Sequence, residues 1–251
     1  YDRYLRGFAF EGAGMGFGAC CLLGEASPEG FEGTIRELGT EHLYQYYVGL
    51  GWWLDFTGNL AGHPWLDHLD YRYRMIVYDG IGFRTGFFRP PGEAGALRRM
   101  DGLSPAARRV AYQGYGRAMW FCLHGALPAL LRWADRTPDD CRGDFISGVG
   151  LAAAYSRIDD PDLAPALVRM WPAADRPAFW QGIAFGWEAR RRQDPDWFAA
   201  CIQGSTAARE LAPLLLEAVH EVASEAGERW GGDYYHRWTD GVRGRAAAVL
   251  G

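Results

Sequence analysis

The chain contains no lysine; all 26 of its basic residues are arginine. A Schiff-base nucleophile, a pyridoxal phosphate anchor and a phosphate-loop lysine are therefore excluded. The arginines occur on every kind of segment, the pattern of a GC-rich coding bias rather than of selected guanidinium forks. Cysteine is scarce. Cys20, Cys21, Cys122, Cys141 and Cys201 are odd in number and form no CxxC pair, so neither a zinc knuckle nor a disulfide framework is signalled, and buried free thiols are expected. No apolar run reaches the roughly 18 residues of a membrane span, and Tyr1-Asp2-Arg3-Tyr4 opens no signal peptide. The expectation is a cytoplasmic protein without membrane insertion, with residues missing upstream because the chain starts at Tyr. Excess positive charge is absent too. A net charge of -5 and a pI near 5.7 supply no field for a polyanion, so no nucleic-acid partner is expected. What is abundant is apolar: 49% hydrophobic and 15% aromatic residues in 251 can bury one large core or two small ones.

Within that apolar background one pattern recurs six times. A glycine stands two residues after an aromatic or Ile and two before Gly or Ala: FEGAGMG at Gly12, YVGLGWW at Gly49, YDGIGFR at Gly80, YQGYGRA at Gly114, ISGVGLA at Gly148 and WQGIAFG at Gly182. Successive steps are 37, 31, 34, 34 and 34 residues. A period of about 34 residues accommodates two short helices and two turns, the unit of helical solenoids and toroids. The segments after Gly114 and Gly148 are rich in helix formers without strict alternation, which predicts helices rather than strands. Ser104-Pro105, Thr137-Pro138 with Asp140, and Asp175-Arg176-Pro177 each offer a capping side chain with Pro in the first turn. Partner helices are expected after Ser27-Pro28 (Phe31 to Leu38), over Leu127 to Ala134, and after Asp160-Pro161 (Leu163 to Trp171).

The predicted fold is thus all-α, a single domain of helical hairpins over residues 1–251. Three units fill 1–88, a linker marked by Arg89-Pro90-Pro91-Gly92-Glu93-Ala94-Gly95 occupies 89–103, three units fill 104–204, and terminal helices (Leu211 to Val222, Gly241 to Leu250) cap it over 205–251. Glycine inside a helix costs about 0.8–1 kcal/mol relative to Ala, so something must offset it. Pairs four apart, Gly12/Gly16, Gly82/Gly86 and Gly182/Gly186, share a helical face and let a neighbouring backbone or a flat ring approach. Tight helix packing and a shared ligand cavity both satisfy that pattern. The match of Gly148 to Ala153 to GxGxxA is no dinucleotide site, because that motif needs a preceding strand.

The residue before the repeat glycine is polar in five copies, Glu11, Asp79, Gln113, Ser147 and Gln181, with Val48 the exception. A buried polar side chain needs partners. An inter-helix hydrogen-bond ladder provides them in one reading. In the other, Glu11 and Asp79 are acid/base groups, and Gln113, Gln181, Arg84 and Arg117 donate to a substrate oxygen. Tyr47, Tyr78, Tyr112 and Trp180, one residue earlier or on the same stripe, are core aromatics or a stacking surface. His63-Pro64-Trp65-Leu66-Asp67-His68-Leu69-Asp70 matches no metal-ligand spacing, GxSxG is absent, and no cofactor is expected.

RGFAFEGAGMG (Arg6 to Gly16), RVAYQGYGRAMWF (Arg109 to Phe121) and SGVGLAAAY (Ser147 to Tyr155) together resemble a family of uncharacterised proteins encoded beside enediyne polyketide synthases in actinobacteria. The resemblance extends over nearly the whole chain. It implies a role in making or maturing an enediyne polyketide and transfers no catalytic residue. The expected partner is a hydrophobic polyene or enediyne intermediate, acted on by a cofactor-independent enzyme. The alternative is a non-catalytic scaffold for other pathway enzymes or a sequestering, self-resistance protein.

Overall fold

A computed structural model describes residues 2–25, 27–58, 64–89, 94–226 and 228–250. Among these residues every regular element is helical. The α-helices are α1 (Arg6–Cys20), α2 (Pro28–Leu38), α3 (Leu43–Thr57), α4 (Ile76–Phe87), α5 (Ala94–Asp101), α6 (Pro105–Cys122), α7 (Leu127–Ala134), α8 (Asp139–Ser156), α9 (Leu163–Val168), α10 (Arg176–Gln193), α11 (Pro195–Gln203), α12 (Thr206–Ala226) and α13 (Tyr234–Leu250). No helix among the described residues is long and apolar enough to cross a membrane. The chain forms two compact units, Tyr1–Tyr115 and Gly116–Gly251, divided within α6.

All six glycine segments lie on helices, α1, α3, α4, α6, α8 and α10. Two spacings matter: the expected four-residue one holds for Gly182 and Gly186, which both meet α8, and a two-residue one adds a second side to other copies. At about 100° per residue, the two glycines of GxG point roughly 200° apart, to opposite sides of one helix. In unit 1, α3 packs on both α1 and α4. A Cβ added to Gly49 would come within 3.0 Å of the Glu11 carbonyl oxygen of α1, and one on Gly51 within 3.0 Å of the Val77 carbonyl of α4. On α4, Gly80 meets the Val48 carbonyl of α3 and Gly82 the Ala111 carbonyl of α6; Gly114 of α6 meets Asp79 of α4 in return. In unit 2, Gly116 lies against the Phe145 carbonyl, Gly150 against Phe179, and Gly182 against Ser147. In unit 1, α3 and α4 thus each give the first glycine to the preceding glycine helix and the second to the following one.

Gly12 has nothing within 4 Å of an added Cβ, whereas Gly14 lies against Tyr46. The sixth copy has Ala184 at the second position, fully buried. Of the expected four-apart pairs, Gly12/Gly16 meets nothing, while Gly182 and Gly186 both touch α8.

Helix boundaries follow the sequence with three adjustments. Ser27 Oγ accepts from Gly30 N at 3.1 Å and Ser104 Oγ from Ala107 N at 3.3 Å, as N-caps do. Thr137 does not cap α8; its hydroxyl donates back to the Trp133 carbonyl at 3.0 Å. Asp175 precedes α10 but spends its carboxylate on Arg142, at 2.7 Å. The partner helix expected to reach Trp171 stops at Val168. Pro90–Glu93 of the expected linker lie outside the described residues, and α5 occupies Ala94–Asp101 of it. The expected terminal helices lie within α12 and α13.

The core of unit 1 gathers Phe31, Tyr46, Tyr47, Leu50, Leu54 and Ile81, and that of unit 2 Phe145, Trp171, Phe179, Ile183 and Trp187. On α10 every residue from Ala178 to Arg190 is buried, the polar Gln181, Glu188 and Arg190 included. None of the five cysteines forms a disulfide; Cys20 is exposed, and Cys21 and Cys141 are buried. Burial pushes the thiols of Cys21, Cys122 and Cys201 up, which opposes nucleophilic use.

His42 is a titrating element of this core. Its ring stacks on Phe10 with centroids 3.7 Å apart, and burial lowers its pKa to about 4. Between about pH 6.5 and pH 4 the unfolded chain binds a proton there that the folded chain refuses, so stability falls on acidification through that window. His42→Phe keeps the stack and removes this contribution. Denaturant titrations at pH 7 and pH 4.5 are expected to show a smaller acid-induced loss in the variant, by up to about 3 kcal/mol; equal losses in both would contradict the neutral buried ring.

Candidate functional site

All five polar residues that precede a repeat glycine are buried: Glu11, Asp79, Gln113, Ser147 and Gln181. Their position on the helix explains this. The residue before the first glycine lies about 100° behind it and about 60° from the direction of the second, so it sits on the flank between both neighbouring helices. The residue between the two glycines takes the opposite flank and is apolar or aromatic in the buried cases Leu50, Ile81, Tyr115, Val149 and Ile183. One flank of these helices is thus oily and the other carries polar groups under cover.

In unit 1, Gln113 Nε2 of α6 donates to Asp79 Oδ2 of α4 at 3.2 Å. This is one rung of the ladder reading, and it orients the Asp79 carboxylate. Glu11 is on α1 and Asp79 on α4, both packed on α3, which presents Val48 at the matching position. The Val48 exception is resolved one turn earlier, where Gln45 is buried on the same face with no hydrogen-bond partner for Oε1 among the described residues.

In unit 2 the corresponding side chains do not form a rung. Gln181 Oε1 accepts from Arg243 Nε of α13 at 2.9 Å, and Arg243 Nη2 donates to Asp144 Oδ1 at 2.8 Å. Gly143 leaves room for this guanidinium, since an added Cβ would stand 2.7 Å from Nη1. With its oxygen taken, Gln181 turns Nε2 the other way. That amide nitrogen and the Ser147 hydroxyl are fully buried and lack a hydrogen-bond partner among the described residues. Arg117 is buried on α6, one turn beyond Gln113 on the same face.

The other expected site residues go elsewhere. Arg84 is committed to Asp55, with Nη1 at 2.5 Å from Oδ2. Tyr112 is buried, its hydroxyl 3.5 Å from Asp101 Oδ1, and Trp180 is buried. Tyr78 is half-buried, and burial together with the Asp67 charge pushes its hydroxyl up. His63 lies outside the described residues; Asp67 faces Arg74 and Asp70 faces Arg72 and Arg36.

Three polar centres have no counterpart in the sequence reading. Glu32 of α2 accepts from the Tyr47 hydroxyl of α3 and from Asp70 N at 2.6 Å, and Arg36 lies 3.3 Å away. Burial, then the Glu32 carboxylate, raise the Tyr47 hydroxyl well above its ordinary value. Glu188 holds Arg191 by two bonds at 2.9 and 3.1 Å, with His220 Nε2 at 3.2 Å. Asp55 collects three arginines. Gln45 and Asp144 were legible, each three residues before the marked position; the remainder depend on helices distant in sequence.

These features define an all-helical protein whose glycine helices bury a polar flank. The chain belongs to the family of proteins of unknown function DUF1702, whose family model matches residues 1–245. No curated protein and no solved structure matches the chain.

Proposed function

We propose that the protein serves in making or maturing an enediyne polyketide, binding a hydrophobic polyene or enediyne intermediate and acting on it without an intrinsic cofactor. The observation that carries this reading is the buried polar flank, with its donors and acceptors set among aromatic side chains. Packing requires the glycines but does not require Asp79, Gln113 or Gln181 beside them. The resemblance of the Arg6 to Gly16, Arg109 to Phe121 and Ser147 to Tyr155 segments supplies the pathway. The reading takes the two-helix stretch of about 34 residues as the element that repeats.

In unit 1 Asp79, held by Gln113, and Glu11 are the groups for proton transfer. An apolar surrounding with a fixed hydrogen bond is where a carboxylate does such work. In unit 2 Arg243 fixes Gln181 so that its amide N–H offers a preset donor to a ligand oxygen, beside the Ser147 hydroxyl. Asp79→Asn keeps the shape and the partner while removing the proton acceptor. In a producing strain the substitution is expected to lower product at least a hundredfold and to accumulate an earlier polyene, with the purified variant melting within a few degrees of the parent. Unchanged titre sinks the assignment, and binding of the intermediate without turnover by the parent protein replaces it with sequestration.

A further inference from the structure

The Asp55 cluster in unit 1 carries an inference independent of the proposed chemistry. The Asp55 side chain is fully buried, and one carboxylate serves three guanidiniums: Arg84 at 2.5 Å, Arg89 at 3.4 Å and Arg99 at 3.7 Å. All three arginine side chains keep part of their surface in water. Around them stand the large apolar side chains Phe56, Phe87 and Phe88, which are 59%, 44% and 60% exposed. The Arg84 guanidinium lies 5.2 Å from the Phe56 ring centroid and 5.6 Å from that of Phe88. The phenyls are braced by further rings: Phe88 meets Phe87 at 5.2 Å and Trp52 at 6.3 Å, and Phe56 meets Trp53 at 5.7 Å. Surplus positive charge and protruding hydrocarbon therefore share one patch on a protein whose net charge is -5.

We propose that this patch docks the protein peripherally on an anionic lipid surface. Surplus guanidinium calls for anions and exposed phenyl for hydrocarbon, within about 6 Å of each other. A bilayer bearing acidic headgroups supplies several of each at once. A single-chain amphiphile has one head for three arginines, and a second copy related by a two-fold axis sets the same three guanidiniums against each other. Arginine suits the place because its head is weakly hydrated and its stem lies along apolar surface while the charge stays at headgroup level. The phenyls enter only the interface, as on a surface-bound protein, and no helix among the described residues is long and apolar enough to cross the bilayer.

The test is co-sedimentation of the purified protein with vesicles of phosphatidylcholine alone or with 30% phosphatidylglycerol, at about 50 and 500 mM salt. Affinity for the acidic vesicles at low salt is expected to exceed that for neutral ones at least tenfold and to fall at high salt as the charges are screened. Phe56→Ser with Phe88→Ser, and separately Arg89→Gln with Arg99→Gln, are each expected to reduce it about tenfold while the thermal midpoint holds. The Arg84–Asp55 pair is left intact in both. Absence of vesicle binding by the parent protein, equal binding to neutral vesicles, or retention of binding by both folded variants overturns the proposal. The comparison of lipid compositions decides it even where a variant does not fold. Capture of an acidic protein through these residues without vesicle binding overturns it as well.

Discussion

Gly82→Ala and Gly114→Ala are expected to cost at least about 3 kcal/mol each, whereas Gly12→Ala is expected to be neutral or to stabilise by up to about 1 kcal/mol. Intrinsic propensity makes the same forecast for all three, namely a gain, because Ala is the better helix former. Contact reverses the sign at two of them. A methyl on Gly82 meets the Ala111 carbonyl and one on Gly114 meets that of Asp79, and in both the obstacle is backbone, which cannot turn aside as a side chain can. The helices must separate, loosening the packing around Ile81 and Tyr115. At roughly 2–4 °C per kcal/mol for a chain near this size, thermal midpoints should drop by about 10 °C for the two contact glycines and hold or rise for Gly12. Melting curves of the three variants check this. A Gly114→Ala protein as stable as its parent would falsify the close-contact account of the repeat.

Asp55→Asn is expected to be the most damaging single change in the arginine cluster, at about 2–4 kcal/mol. The carboxylate is fully buried and answers three cations, so removing its charge leaves Arg84, Arg89 and Arg99 to repel one another. Their partial exposure keeps the figure below that of a fully dry pair. Arg99→Gln, which removes the most distant partner, should cost under about 1 kcal/mol, because Arg84 still pairs with Asp55 at 2.5 Å. Chemical denaturation of the two variants measures the asymmetry. Equal losses would mean that the cluster is held by packing of the arginine stems and not by charge.

The glycine pattern and its polar companions were readable because they repeat. A rule imposed at several crossings leaves several traces. The choice between i,i+4 and i,i+2 contacts was not readable, since Gly12/Gly16 and Gly12/Gly14 stand together in the same segment. It depends on which sides of a helix have neighbours. Buried Asp79 and Gln113 were singled out by position, but their hydrogen bond required the α4–α6 approach. Gln181 shows the opposite case. Its ladder partner in sequence is Ser147, yet its amide oxygen answers Arg243, sixty-two residues away on α13. Arg84 was similarly drawn to Asp55, twenty-nine residues before it, rather than to the polar flank of its own helix.

The sequence by itself determined the helical class, the places of the six glycine helices and the exclusion of lysine chemistry, because those follow from local periodicity and composition. Only the tertiary structure decided that the GxG pairs of α3 and α4 serve two neighbours each, that Gln181 is held by Arg243 and that three arginines converge on Asp55. Those outcomes rest on approach distances between helices, and a hydrogen bond or an ion pair over a few ångströms is indifferent to how many residues separate its ends.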